Sequence, residues 1–117
     1  MIKFYGYKKC STCRKAEKYL ENRSTEYEFI DITENPPPQS TLRNIAQQAE
    51  VELKKLFNTS GVQYRELKIK EKLPGMTDKE ILKLLAGNGR LVKRPLITDG
   101  RKSTVGFKEE VFDEIWG

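Results

Sequence analysis

The sequence predicts an α/β fold, a mixed central sheet with helices on both faces and an inserted helical segment. Three observations point there. Residues 2–32 read strand, helix, strand; residues 38–87 carry apolar side chains at helical spacing; and the chain closes on a strand pair and a last helix.

Ile2, Phe4 and Tyr5 form a short apolar run ended by Gly6, a first strand. In residues 11–21, Cys13, Ala16 and Leu20 recur at helical spacing on one face. Residues 27–32, YEFIDI, are rich in aromatic and β-branched types and read as a second strand. Such a start favours a parallel pair joined by a right-handed crossover.

Pro36, Pro37 and Pro38 then stiffen a turn and lead into a helix, because proline is tolerated in a first helical turn. Leu42, Ile45, Ala46 and Ala49, then Leu53, Leu56 and Phe57, continue an apolar stripe over two short helices that Asn58-Thr59-Ser60-Gly61 interrupts. A shorter helical stretch is expected at 64–67 and a loop at Pro74-Gly75. Thr77 with Glu80 predicts a capping box, each side chain satisfying a free N–H at the helix start. Ile81, Leu82, Leu84 and Leu85 supply that helix's buried face, and Gly87 is expected as its left-handed stop.

Residues 96–98 read as a strand, Asp99-Gly100 as a tight hairpin turn, and 103–105 as the antiparallel return. Val111, Phe112, Ile115 and Trp116 give a final amphipathic helix. Without its helical middle this is the thioredoxin arrangement, so residues 38–87 read as an insertion into a thioredoxin-like domain spanning 1–117.

At 117 residues, 37% hydrophobic and 33% charged, the chain is long enough to bury a core of its own. No apolar run approaches the roughly 20 residues that span a bilayer. The N-terminal segment lacks the long apolar stretch and small-residue cleavage site of a secretory signal. Together these predict no membrane partner and a cytoplasmic location, where thiols stay reduced. The net charge of +5 comes from 22 basic and 17 acidic residues spread along the chain. Direct nucleic-acid binding, which gathers basic residues on one helix or arm, is not expected. Lys8, Lys9, Arg14 and Lys15 do bracket the two cysteines, a mild pull on anionic partners.

Cys10 and Cys13 lie where the first strand passes into the first helix. A cysteine at a helix N-terminus has free N–H groups and the positive end of the macrodipole beside its sulfur, and both favour thiolate over thiol. Cys10 holds that position. Cys13 lies about one turn further in, on the buried face with Ala16 and Leu20. An attacking thiolate with a second thiol one turn away is the geometry of a two-cysteine redox site. Other readings are a zinc site, two ordinary buried thiols, or a vestigial pair on a fold kept for binding. With no histidine and no third cysteine, zinc would lack its usual ligands, so no metal is expected.

Arg94-Pro95 precedes the hairpin. In the thioredoxin arrangement this place faces the cysteine loop and its proline is cis, so Arg94 would turn its guanidinium towards Cys10. A fixed planar cation there could hold an oxyanion or a carboxylate, or stabilise the thiolate. The plainer alternative is a surface arginine. Ser11, Thr12, Arg14 and Pro95 complete the set expected to contact substrate.

Several segments together carry a resemblance over nearly the whole chain. They are KCSTCRKA at 9–16, Asn35-Pro36-Pro37, Asn58-Thr59-Ser60-Gly61, Tyr64-Arg65-Glu66-Leu67 and Lys93-Arg94-Pro95-Leu96-Ile97. The chain resembles the arsenate reductase/Spx family of thioredoxin-like proteins, and looks most like its two-cysteine reductase-like members. The resemblance implies a nucleophile at Cys10 and an active-site arginine at Arg94. It also implies an oxidoreductase with no bound cofactor, glutathione as co-substrate, and glutaredoxin or thioredoxin as recycling partner.

Arsenate reductases of the glutathione- and glutaredoxin-coupled branch use one cysteine and further arginines. An ungapped reading puts Asn58 and Phe107 at those places, which counts against arsenate. The Spx branch has the two-cysteine pair and acts as a redox-sensing partner of RNA polymerase. The expected function is thiol–disulfide redox chemistry with Cys10 attacking and Cys13 resolving, ahead of an Spx-like regulator and of arsenate reduction.

Overall fold

The computed structural model describes residues 1–117. Strands β1 (Ile2–Gly6), β2 (Tyr27–Asp31), β3 (Leu96–Thr98) and β4 (Ser103–Val105) form one sheet in the order β2-β1-β3-β4. β1 runs parallel to β2, with Phe4 beside Phe29, and antiparallel to β3, with Phe4 opposite Ile97. β3 and β4 are antiparallel. The helices are α1 (Ser11–Asn22), α2 (Gln39–Gln48), α3 (Val62–Glu66), α4 (Ile69–Lys72), α5 (Asp78–Gly87) and α6 (Glu109–Ile115). Short 3₁₀ turns occur at Leu53–Leu56, Leu73–Gly75 and Gly89–Leu91. No helix is long and apolar enough to cross a membrane.

Strand alternation divides the core in two. Successive side chains of a strand point to opposite faces, so Phe4 and Ile97 face one way and Tyr5 and Leu96 the other. Phe4 and Ile97 pack with Cys13, Ala16 and Leu20 of α1 and Phe112 of α6. Tyr5 and Leu96 pack instead with Leu42 and Ile45 of α2, Leu56, and Leu82 and Leu85 of α5. This is the expected mixed sheet with helices on both faces, and residues 39–91 supply the second layer.

Most elements fall where the sequence puts them, and the capping box of Thr77 and Glu80 is present. Five local details differ. Pro38 is the N-cap of α2, in extended conformation, rather than part of its first turn. The stretch over Leu53–Leu56 is a 3₁₀ turn, and α4 is an additional one-turn helix preceded by Lys68 at φ 53°. Gly87 is the last helical residue, and the chain leaves α5 through extended Asn88, whose side chain accepts from the Arg90 N–H. The hairpin connection is four residues, not two. The Asp99 carboxylate accepts from the N–H groups of Arg101 and Lys102 at 2.8 and 2.9 Å, which closes the longer turn.

Candidate functional site

The site is built where β1 hands over to α1. Cys10 is the N-cap of α1, its backbone extended while its carbonyl accepts from the Arg14 N–H. Its sulfur takes the place usually held by a capping oxygen, accepting from the Cys13 N–H at 3.4 Å. Burial alone would push the Cys10 thiol up. The Cys13 N–H, the Cys13 thiol and the Arg94 guanidinium outweigh it and bring Cys10 below the ordinary thiol range.

Cys13 is the opposite case. It is fully buried against Phe4, Ala16 and Leu20. Burial pushes its thiol up to about 12, with the Tyr7 N–H opposing and the neighbouring Cys10 sulfur reinforcing. No disulfide joins the two cysteines in this structure. No three His, Cys, Asp or Glu side chains converge in a way that could hold a metal ion.

The Arg94–Pro95 peptide bond is cis, with Pro95 buried. Arg94 is half-buried, and its guanidinium carbon lies 5.2 Å from the centre of the Tyr7 ring. Its charge also reaches Asp31. The Thr33 hydroxyl, against some burial and with help from main-chain N–H groups and Arg94, holds that carboxyl below its ordinary range.

Cys10, Thr12 and Arg94 line an open groove of about 520 Å³. Its far wall comes from the helical insertion. The Asn58 N–H donates to the Leu91 carbonyl at 2.7 Å, the Lys93 N–H donates to the Leu56 carbonyl at 2.6 Å, and Phe57 bridges Val92. That lashing brings Asn58 and Ser60 beside Arg94. The segment after β4 contributes Phe107 and Lys108. Of the other residues expected at the site, Ser11 and Arg14 are exposed on α1, and neither they nor Pro95 line the groove.

Sequence reasoning missed Lys93 and Lys108 in the groove and Glu17 beneath the loop. Glu17 is buried and accepts from the Tyr27 hydroxyl at 2.8 Å and the Lys8 ammonium at 3.1 Å. Lys8 also stands over the Phe29 ring, 4.0 Å from its centre. Two residues before Cys10, the loop is therefore pinned to α1 and β2. A signal existed, since Glu17 follows Cys13 by four residues on the buried face.

Comparison with known proteins accounts for this arrangement, because the model of the ArsC family matches residues 5–115. The chain belongs to the ArsC family. It is 53% identical over 115 residues to the uncharacterised protein YusI of Bacillus subtilis (strain 168), covering 98% of each chain. It superposes on the crystal structure of an ArsC family related protein from Bacteroides fragilis with TM-score 0.93 and 44% identity, over 97% of this chain and 96% of that one. It is also 27% identical over 110 residues to the global transcriptional regulator Spx 1 of Lactococcus lactis (strain IL1403), covering 94% of this chain and 84% of that protein. The fold is thus the thioredoxin-like fold of ArsC-family proteins.

Proposed function

We propose that this ArsC-family chain is a thiol–disulfide redox protein in which Cys10 attacks and Cys13 resolves. The observation that supports it is the unequal setting of the two thiols at the start of α1. One is half-exposed with its thiolate favoured; the other is fully buried with its thiol favoured.

The Cys10 thiolate attacks one sulfur of a substrate disulfide, a bond forms between Cys10 and that sulfur, and the other half leaves as a thiolate that takes up a proton. With Cys10 then neutral, its contribution to holding the Cys13 proton is gone. Cys13 releases its proton, attacks the Cys10 sulfur and expels the second half of the substrate. The substrate has gained two electrons and two protons, and the protein holds a Cys10–Cys13 disulfide. Glutathione, or glutaredoxin or thioredoxin as a protein donor, returns the two electrons. The chain has no histidine, so activation of Cys10 rests on electrostatics and hydrogen bonding. The reducing cytoplasm is the compartment this chemistry suits.

A second reading is favoured by the likeness to the transcriptional regulator Spx 1. Here the same disulfide switches a surface that meets a partner such as RNA polymerase, and nothing turns over. Arsenate reduction is the weakest reading, because Asn58 and Phe107 stand where further arginines are expected, and Arg94 is the one guanidinium lining the groove beside Cys10.

The test is trapping. Cys13→Ser incubated with a peptide disulfide should keep a mixed disulfide on Cys10, Cys10→Ser should form none, and the unmodified chain should turn over excess disulfide with glutathione. Absence of the adduct in Cys13→Ser would overturn the assignment. Stoichiometric oxidation without turnover would favour the switch.

A further inference from the structure

We infer that the preferred substrate is a disulfide in an acidic segment of polypeptide, with an apolar residue next to the reacting cysteine. This rests on the redox reading of Cys10 and names the substrate class of that site.

The groove beside Cys10 carries three cations, Lys93, Arg94 and Lys108, and no carboxylate among its 12 lining residues. None of the three is in an ion pair. A concave wall of one charge sign concentrates oppositely charged ligands and speeds their association. The placement of Lys93 depends on its neighbour. Gly106 has φ +78°, and a Cβ there would stand 3.2 Å from the Lys93 Cε, so the stem of Lys93 lies across a glycine that leaves it room. That fold of the stem keeps the ammonium at the groove.

Apolar surface adjoins the cations. Phe107 is half-buried, held edge-on against Phe112 with ring centres 4.7 Å apart and against Tyr19 at 6.0 Å. It therefore presents a fixed shelf. Val62, 58% exposed, stands in the same groove. An exposed valine and a held aromatic ring have little to offer a small, wholly polar disulfide. They fit an apolar side chain, while the cations fit carboxylates on its neighbours. Glutathione disulfide shares the carboxylates but has no apolar side chain, and this separates the two sources of the same chemistry.

The experiment uses the whole chain and four peptide disulfides of equal length. Cysteine is followed directly by Leu or by Gly, and the positions on either side of that pair are Glu or Lys. Neutral hydroxyethyl disulfide is the control and glutathione disulfide the competitor. At low salt the Glu peptides should be reduced about ten-fold or more faster than the Lys peptides, and the ratio should shrink as salt screens the groove. Lys93→Gln with Lys108→Gln should lower that ratio several-fold. Leu should outpace Gly in the acidic series, an advantage lost in Phe107→Ala, and the acidic Leu peptide should outpace glutathione disulfide. If neither hydroxyethyl disulfide nor any of the peptides is reduced, the redox reading fails. If the peptides are reduced but charge brings no preference, or glutathione disulfide matches the acidic Leu peptide, the substrate inference is overturned while the redox reading stands.

Discussion

The main-chain N–H of Cys13 donates to the sulfur of Cys10 across 3.4 Å. The buried thiol's own backbone therefore holds the charge of the exposed one. This single contact ties the reactivity of Cys10 to the integrity of the first turn of α1, and with Arg94 it makes the two thiols chemically distinct.

Iodoacetamide should modify Cys10 first, at a rate that rises with pH through a midpoint below the roughly 8.5 of a free cysteine. Below that midpoint the thiol is protonated and unreactive. Arg94→Gln removes a cation that favours the thiolate, so it should move the midpoint up and slow alkylation at neutral pH several-fold. Rates followed by mass spectrometry across pH check this, and an unchanged midpoint would remove Arg94 from the site's electrostatics.

Cys13 predicts a pH dependence of stability. Its thiol is held up to about 12 in the folded chain, so above the unfolded thiol value the native state binds more protons than the unfolded one. The contribution is fully present below that value and is lost as pH rises towards about 12. The stability difference between the unmodified chain and Cys13→Ala should narrow from pH 7 to pH 10. Urea midpoints at the two pH values measure it.

Two glycines two residues apart should respond oppositely to alanine. A Cβ on Gly89 would collide with the main-chain carbonyl of Ile32, whereas Gly87, at the end of α5, has open space. Gly89→Ala should cost about 2–3 kcal/mol through forced backbone shifts. Gly87→Ala should add about 0.5–1 kcal/mol by restricting the unfolded chain. Chemical denaturation of both variants gives the comparison.

Glu17 and Lys8 should also be unequal although they form one ion pair. The Glu17 side chain is 11% exposed and that of Lys8 66%. Glu17→Ala leaves the Tyr27 hydroxyl without its acceptor and should cost about 1–3 kcal/mol. Lys8→Ala breaks only the outer contact and should cost less than about 1 kcal/mol. Equal costs would mean that Tyr27 gains nothing from the buried carboxylate.

Local signals account for what could be read beforehand. Thr77 with Glu80, the alternating residues around Asp99-Gly100, and Cys10 ahead of the Ala16 and Leu20 stripe each announce themselves within a few residues. The other wall of the groove has no such signature. Asn58 is carried to Arg94 by the main-chain contacts of Asn58 with Leu91 and of Lys93 with Leu56, pairings about 35 residues apart that periodicity does not reveal. α4 is a single turn, too short for a helical stripe to show. For Glu17 position and residue type disagree: its place four residues after Cys13 marks the buried face, while a carboxylate in a charged helix reads as solvated until a tyrosine and a lysine are placed upon it.

The most direct measurement oxidises the chain with one equivalent of diamide and maps the thiols without reduction. Monomer lighter by two hydrogens, with residues 10–14 released by trypsin as one peptide closed by a Cys10–Cys13 disulfide and resistant to alkylation, is the predicted result. Cysteines that both remain alkylatable, or a dimer linked through Cys10, would contradict the pairing of an attacking and a resolving thiol.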